Sequence, residues 1–115
     1  MRRSLLACLL PVALLGCGDG SLDPLPLDIT MEANRATTGP GQPVEFVVTA
    51  RGGNIVGLEI DYGDGAIDQR GASGARTARV TFEHSYVAVG TYQVRATVFD
   101  AVAGSKDANV DVRVQ

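Results

Sequence analysis

The sequence predicts an all-β fold: an antiparallel β-sandwich of about seven strands, preceded by a signal peptide. Three observations carry that prediction. From Tyr92 the apolar residues fall on every second position (Tyr92, Val94, Ala96, Val98), with Thr91, Gln93, Arg95 and Thr97 between them. Side chains alternate faces along a strand, so the pattern describes a sheet with one dry face and one wet face. Runs of the same kind recur at roughly 10- to 15-residue spacing, separated by turn residues. After the first twenty residues no helical period appears, so no helix is at hand to connect parallel strands.

The chain begins with Arg2 and Arg3, an apolar run from Leu5 to Leu15, and a small residue, Gly16. A run of about eleven residues is too short to cross a hydrocarbon core of roughly 30 Å as a helix. It has the anatomy of a secretory signal peptide, here residues 1–16. Leu14-Leu15-Gly16-Cys17 resembles the bacterial lipobox, with Leu15 standing where a small residue is more usual. The resemblance implies cleavage before Cys17 and acylation of that cysteine. Each buried acyl methylene contributes about 0.8 kcal/mol, so two chains make a stable membrane anchor. Gly18 occupies the position at which an aspartate favours inner-membrane retention in enterobacterial lipoproteins. The expected location is therefore the bacterial cell envelope, with the outer membrane favoured over the inner. Arg2-Arg3 reads as an ordinary positive n-region, although it also resembles a twin-arginine signal.

Residues 17–26 comprise the lipidated cysteine and a tether of Gly, Ser, Asp and Pro, a composition suited to extended, solvated chain. At up to about 3.5 Å per residue its length is some 30 Å. The domain proper is residues 27–115. Leu27, Ile29 and Met31 alternate with Asp28, Thr30 and Glu32; Pro40 to Pro43 is a turn; Val44, Phe46, Val48 and Ala50 share a face. Gly52-Gly53-Asn54 is expected to break the chain as a loop. Leu58, Ile60 and Tyr62 follow, and Gly63-Asp64-Gly65 supplies the positive φ angles of a tight reversal. Ala66 to Arg70 is expected as a short edge strand, and Gly71 to Gly74 as a second loop. Ala78, Val80 and Phe82, then the run from Tyr92, then Ala108, Val110, Val112 and Val114 complete the strands.

Ile60-Asp61-Tyr62-Gly63-Asp64-Gly65 resembles the Trp-Asp-Phe-Gly-Asp-Gly signature of polycystic kidney disease (PKD) domains. His84-Ser85-Tyr86, Gly90-Thr91-Tyr92-Gln93-Val94 and Val98-Phe99-Asp100 are similar to that family's His-Thr-Tyr, Gly-x-Tyr-x-Val and Val-x-Asp segments, in the same order. The resemblance spans about Ile29 to Val114 and implies an immunoglobulin-like sandwich. Ile60 stands where the family usually has tryptophan, which implies a smaller core.

Composition excludes some functions. The formal charge is −3, and without Arg2 and Arg3 the chain keeps 8 basic against 13 acidic residues, about −5. The charges are scattered with no basic stripe, so nucleic acid is not an expected partner. The chain has two cysteines, Cys8 and Cys17, and loss of Cys8 with the signal peptide leaves no intramolecular disulfide.

Asp61, Asp64 and Asp68 are the best acidic cluster and the calcium candidates, since hard cations take several oxygens. They lack EF-hand spacing, and aspartates in an Asp-Gly reversal also accept backbone N–H bonds, which is the preferred reading. His84 is the only histidine. Ser85 and Ser73 are nominal nucleophiles without a nucleophile-elbow context, so no catalysis and no cofactor is expected. His84 is expected to hydrogen-bond the loop entering the Tyr92 strand. Tyr92 is expected to tie its hydroxyl back to that upstream loop.

Tyr62, Tyr92, Phe46 and Phe82 are in phase with the core, which leaves Tyr86 and Phe99 as surface aromatics and binding candidates. The expected function is a non-catalytic envelope module that contacts another protein through edge strands or end loops. The alternative is a module that binds carbohydrate or the cell wall. Gln115 directly follows the last strand, which suggests that the module is itself the functional unit or that its partner is a separate polypeptide.

Overall fold

The computed structural model describes residues 26–115. The signal peptide, Cys17 and the tether up to residue 25 lie outside the described residues. Alternating apolar residues, many of them β-branched, form six strands: β1 (Asp28–Ala33), β2 (Thr37–Thr38), β3 (Pro43–Asp61), β4 (Ile67–Ser85), β5 (Gly90–Asp100) and β6 (Gly104–Val114). There is no helix among the described residues. The fold is the expected all-β sandwich, but its strands are divided differently.

β3 and β4 each run for 19 residues and serve in both layers. The first half of β3 pairs with β1, from Ala33 opposite Phe46 to Asp28 opposite Arg51, and on its other side with the second half of β4. The second half of β3, from Ile55 to Asp61, pairs with β5 and with the first half of β4. β6 continues that layer antiparallel to β5, and the two-residue β2 closes it in parallel with β6. Asn34 helps the chain leave β1: its N–H donates to Glu45 O at 2.9 Å, and its Oδ1 accepts from Glu45 N–H at 3.0 Å. The core lies between the layers. Val44, Phe46 and Val48 from one meet Ile60, Val94 and Val112 from the other, all fully buried.

The expected loops at Gly52-Gly53-Asn54 and Gly71-Ala72-Ser73-Gly74 are instead bulges inside continuous strands. Arg51 pairs with Thr77, Ile55 with Ala75, and Gly57 with Gly71. Between the first two pairs the surplus residues are on β3; between the next two they are on β4. The surpluses offset one another, so the hairpin bends from one layer into the other and its ladder resumes beyond. Runs expected as four strands are therefore two, and Ala66 to Arg70 opens β4 rather than forming a separate edge strand. Ser73 takes a left-handed φ of 51° at this corner. A third irregularity lies between β3 and β5, where Ile55 pairs with Asp100 and Gly57 with Phe99, leaving Val56 as the extra residue.

Asp100 fixes the corner. One carboxylate oxygen accepts from Asn54 N–H at 2.8 Å; the other accepts from Val102 and Ala103 N–H at 2.8 and 3.0 Å. One buried side chain thus joins the β3 bulge to the β5–β6 turn. These bonds, Asn54 N–H foremost, hold its carboxyl below the usual carboxylate range despite the opposing effect of burial.

At the other end the β3–β4 turn is fixed by Gly63, at φ 86°. A Cβ there would lie 2.6 Å from the backbone oxygen of Gln93, whereas one on Gly65, at φ 98°, would meet nothing within 4 Å. Gly65→Ala is expected to cost about 1–2 kcal/mol, the strain of a left-handed residue alone. Gly63→Ala should cost more, about 3 kcal/mol, because β5 cannot withdraw. Denaturant midpoints measure both, and equal losses would show that close packing against β5 does not constrain the turn.

Candidate functional site

The chemically richest residues gather at the turn end of the sandwich. Tyr62, just past β3, stacks on His84 of β4 with ring centroids 3.9 Å apart and planes 7° from parallel. Tyr86 meets the His84 ring edge-on at 4.9 Å and stacks on Tyr92 of β5 at 4.4 Å. Phe46 closes the row 5.8 Å from Tyr62. Aromatic pairs in such geometries contribute about 0.5–1.5 kcal/mol each beyond their burial.

Hydrogen bonds fix the four polar members of the row, Tyr62, His84, Tyr86 and Tyr92. The Tyr86 hydroxyl donates to Tyr62 O at 2.9 Å, Tyr62 to Asp68 at 2.7 Å, and Tyr92 to Ala88 O at 2.7 Å. The last is the tie expected for Tyr92. His84 Nε2 donates to Asp64 Oδ2 at 2.7 Å, since an ionised carboxylate can only accept. The expected partner of His84 was the loop entering β5; its partner is the β3–β4 turn, because the bend stacks the two layers and brings that turn over the end of β4.

The aspartates are occupied by the same framework. Asp61 accepts from Gly63 N–H at 2.9 Å and Asp64 from Ala66 N–H at 3.1 Å, the turn bonds expected of them. Asp68 holds Tyr62. Among the described residues no three His, Cys, Asp or Glu side chains form a group able to hold a metal ion. Of the calcium candidates, Asp61 and Asp64 hold the turn and Asp68 holds a tyrosine. Partial burial raises the Asp64 carboxyl, but the bonds from His84 and Ala66 N–H outweigh it and leave it below the usual range. Burial pushes the Tyr62 and Tyr86 hydroxyls well above the ordinary tyrosine range, helped at Tyr62 by the bond to Asp68.

A histidine oriented by an aspartate needs a nucleophile to do acyl-transfer chemistry. Ser85 follows His84 on the same strand and so faces the other way. Ser73 sits at the distant corner. Tyr62 and Tyr86 cover one face and one edge of the imidazole. The arrangement is a clamp between layers.

Tyr86 is fully buried, contrary to its expected place on the surface. It lies between strands, where period-two alternation does not specify direction, and its hydroxyl reaches a core carbonyl. Phe99 does lie on the surface, 42% exposed, beside Val56 at 56%. They flank a hollow of about 380 Å³ on the outer face of the larger layer, bordered by Glu59, Gln69 and Arg70. The hollow exists because the facing residues Gly57 and Gly71 have no side chains. It adjoins β4, which among the described residues pairs only with β3 and so presents an open edge. The sequence reading missed Val56 and Gly57; Gly71 it offered as a contact only within the flexible loops Gly52-Gly53-Asn54 and Gly71-Ala72-Ser73-Gly74. The signal was present: Ile55-Val56 interrupts the alternation where the bulge occurs.

Residues 28–114 match the model of the PKD domain family. Among solved structures, the chain is similar to the PKD domain of an M14-like peptidase from a Thermoplasmatales archaeon, with TM-score 0.68, 21% identity, and coverage of 80% of this chain and 96% of that one. A CARDB domain from Pyrococcus furiosus aligns with TM-score 0.62, 20% identity, and coverage of 76% and 93%. The PKD domain of the human VPS10 domain-containing receptor SorCS2 aligns with TM-score 0.54, 22% identity, and coverage of 90% and 81%. No curated protein sequence gives a significant match.

Two measurements check the clamp. Tyr92→Phe is expected to cost about 1 kcal/mol, a typical net hydrogen bond, whereas Tyr86→Phe should cost up to about 3 kcal/mol because it strands the buried Tyr62 carbonyl. Equal denaturation midpoints for both variants and the parent would remove that assignment. The second concerns pH. A carboxyl depressed in the folded state stabilises above its unfolded value, near pH 4, and loses that contribution as pH falls through its folded value. The stability gap between the parent and Asp64→Asn should therefore narrow as pH falls below about 4. A gap independent of pH would show that the Asp64 charge does not stabilise the turn.

Proposed function

The chain belongs to the PKD domain family, a family of non-catalytic modules, and on that premise we propose that it is an envelope lipoprotein that binds another protein. Cys17, acylated, holds it to a bacterial membrane, with the outer membrane favoured by Gly18. The binding surface is the open edge of β4 beside the hollow at Phe99. One observation supports this reading above others: an unpaired strand edge lies next to an apolar recess on the same face. An extended segment added to β4 would gain main-chain hydrogen bonds, and one of its apolar side chains could enter the recess. Charged and polar residues along the edge, Asp68, Gln69, Arg70 and Arg76, oppose pairing between copies of the chain. The carbohydrate alternative has less support. Sugar stacking needs exposed aromatic faces, and of its two candidates only Phe99 offers one.

The anchor and the binding surface are tested separately. Mass spectrometry of protein from its native cells should find acylated Cys17 as the first residue, and Cys17→Ala should move the protein out of the detergent phase. An intact amino terminus, or cleavage elsewhere, would remove the anchor.

For the surface, a Cβ on Gly71 meets nothing within 4 Å, so Gly71→Leu is the variant chosen to fill the recess, with an unchanged denaturation midpoint as its control. A photo-crosslinker at Gln69 should capture a partner in the parent and lose it in both Gly71→Leu and Phe99→Ala. Undiminished capture in both would place the contact elsewhere.

A further inference from the structure

At the corner end, opposite the aromatic clamp, a groove of about 380 Å³ is lined by Pro26, Leu27, Asp28, Arg51, Arg76, Thr77 and Lys106. Three cations stand there against one carboxylate. Asp28 pairs with Lys106 at 3.7 Å, and both side chains are more than half exposed. Such a pair is weak, so it leaves most of the positive potential in place. Arg51 and Arg76 form no ion pair among the described residues. The β5–β6 turn at this end presents Val102, 64% exposed.

At the other end carboxylates outnumber cations. Glu45 faces Glu83 across the β3–β4 ladder, and Asp61, Asp64 and Asp68 surround the turn, against Arg95 opposite Asp61 and Arg113 opposite Thr91. The domain as a whole is acidic, so a basic end is a departure from its composition.

Pro26 is where the amino-terminal segment joins the domain, and it forms part of the groove. Along the chain, the groove is therefore the part of the domain nearest to an anchor on Cys17, nine residues before Pro26. We propose that this end docks on an anionic lipid surface. Headgroup phosphates would meet Arg51, Arg76 and Lys106, and Val102 would enter the interface. The inference rests on the lipoprotein reading.

Charges in solution are screened within about 8 Å, so three cations orient the domain only if it is held against the lipid. A short tether supplies that high local concentration. Removing one cation near an anionic surface should reduce docking about fivefold, from roughly 1 kcal/mol each. The acidic end would be repelled by the same surface, which adds to the preference for one orientation.

The chain contains no tryptophan, so Val102→Trp provides a unique reporter at the docking end, and Val87→Trp, at a site 89% exposed, provides one at the far end. The acylated protein is placed in vesicles of brominated phosphatidylcholine with or without phosphatidylglycerol. Where mass spectrometry finds no acylation, Cys17 is coupled to a maleimide lipid in a Cys8→Ser background, so that loss of the anchor reading does not prevent the test. The expected result is quenching of Trp at 102 on the anionic vesicles only, with Trp at 87 unquenched on both. Adding Arg51→Gln, Arg76→Gln and Lys106→Gln should reduce the quenching to the phosphatidylcholine level while the protein stays vesicle-bound. An unquenched Trp at 102 on anionic vesicles, equal quenching at both ends, or quenching that survives loss of the three cations would overturn the proposal.

Discussion

Two long strands must turn the corner between layers without giving up their shared ladder, and the rest of the sandwich depends on how they do it. A strand that ended at the corner would leave backbone N–H and C=O groups unpaired beside the core, at a cost comparable to a lost hydrogen bond for each. β3 and β4 avoid this by placing surplus residues on opposite strands in succession, so each bulge cancels the shift made by the other. Small residues are needed at the bend. A side chain on Gly52 would collide with the Asp100 carboxylate, and one on Gly74 would come within 2.9 Å of Asn54 Oδ1. Asp100 then uses the space the glycine leaves, tying the bulge to the β5–β6 turn.

The opposite end meets a complementary requirement. Once the hairpin has folded over, the β3–β4 turn lies above the end of β4, and the two must be fixed together. Stacking of Tyr62 on His84 does this with apolar area, and Asp64 does it with a hydrogen bond to the same imidazole. Tyr86 extends the row to Tyr92 and returns its hydroxyl to the Tyr62 carbonyl. The Asp, Tyr, Gly and His residues of the motifs therefore act on one another across layers. With Ile60 fully buried where a tryptophan would be larger, much of the aromatic packing of the core falls to this row.

The fold class was legible because period-two alternation is a local property of sheet with one buried face. β5 shows this best: Val94, Ala96 and Val98 are buried, and their neighbours Gln93, Arg95 and Phe99 are exposed. The hairpin was not legible, because glycine-rich segments that break a strand and those that bend it have the same composition. Only the register of the partner strand distinguishes them. Tyr86 was misplaced for a related reason: it lies in an irregular segment whose direction is set by tertiary contacts. The Tyr92 tie was legible because it is formed within four residues of chain. The bonds of His84 to Asp64 and of Asp100 to Asn54 span 20 and 46 residues, and no local pattern encodes them.

The surfaces left for binding follow from what the two ends consume. At the turn end the aromatic groups stack on one another, and Asp61, Asp64 and Asp68 are bonded to the turn or to the stack, so new contacts with them would have to displace existing partners. At the corner end Asp100 is buried and saturated, and the exposed charge is basic, beside the residue that continues toward Cys17. Between the ends, the open edge of β4 and the recess at Gly57 and Gly71 have no partner among the described residues. A domain docked by its corner would hold its long axis away from the lipid and turn that edge sideways, parallel to the surface normal. A partner strand could then approach along the membrane without meeting the anchor. Docking and binding are thus compatible because the same bend that makes the basic corner also carries β4 through both layers as a continuous edge.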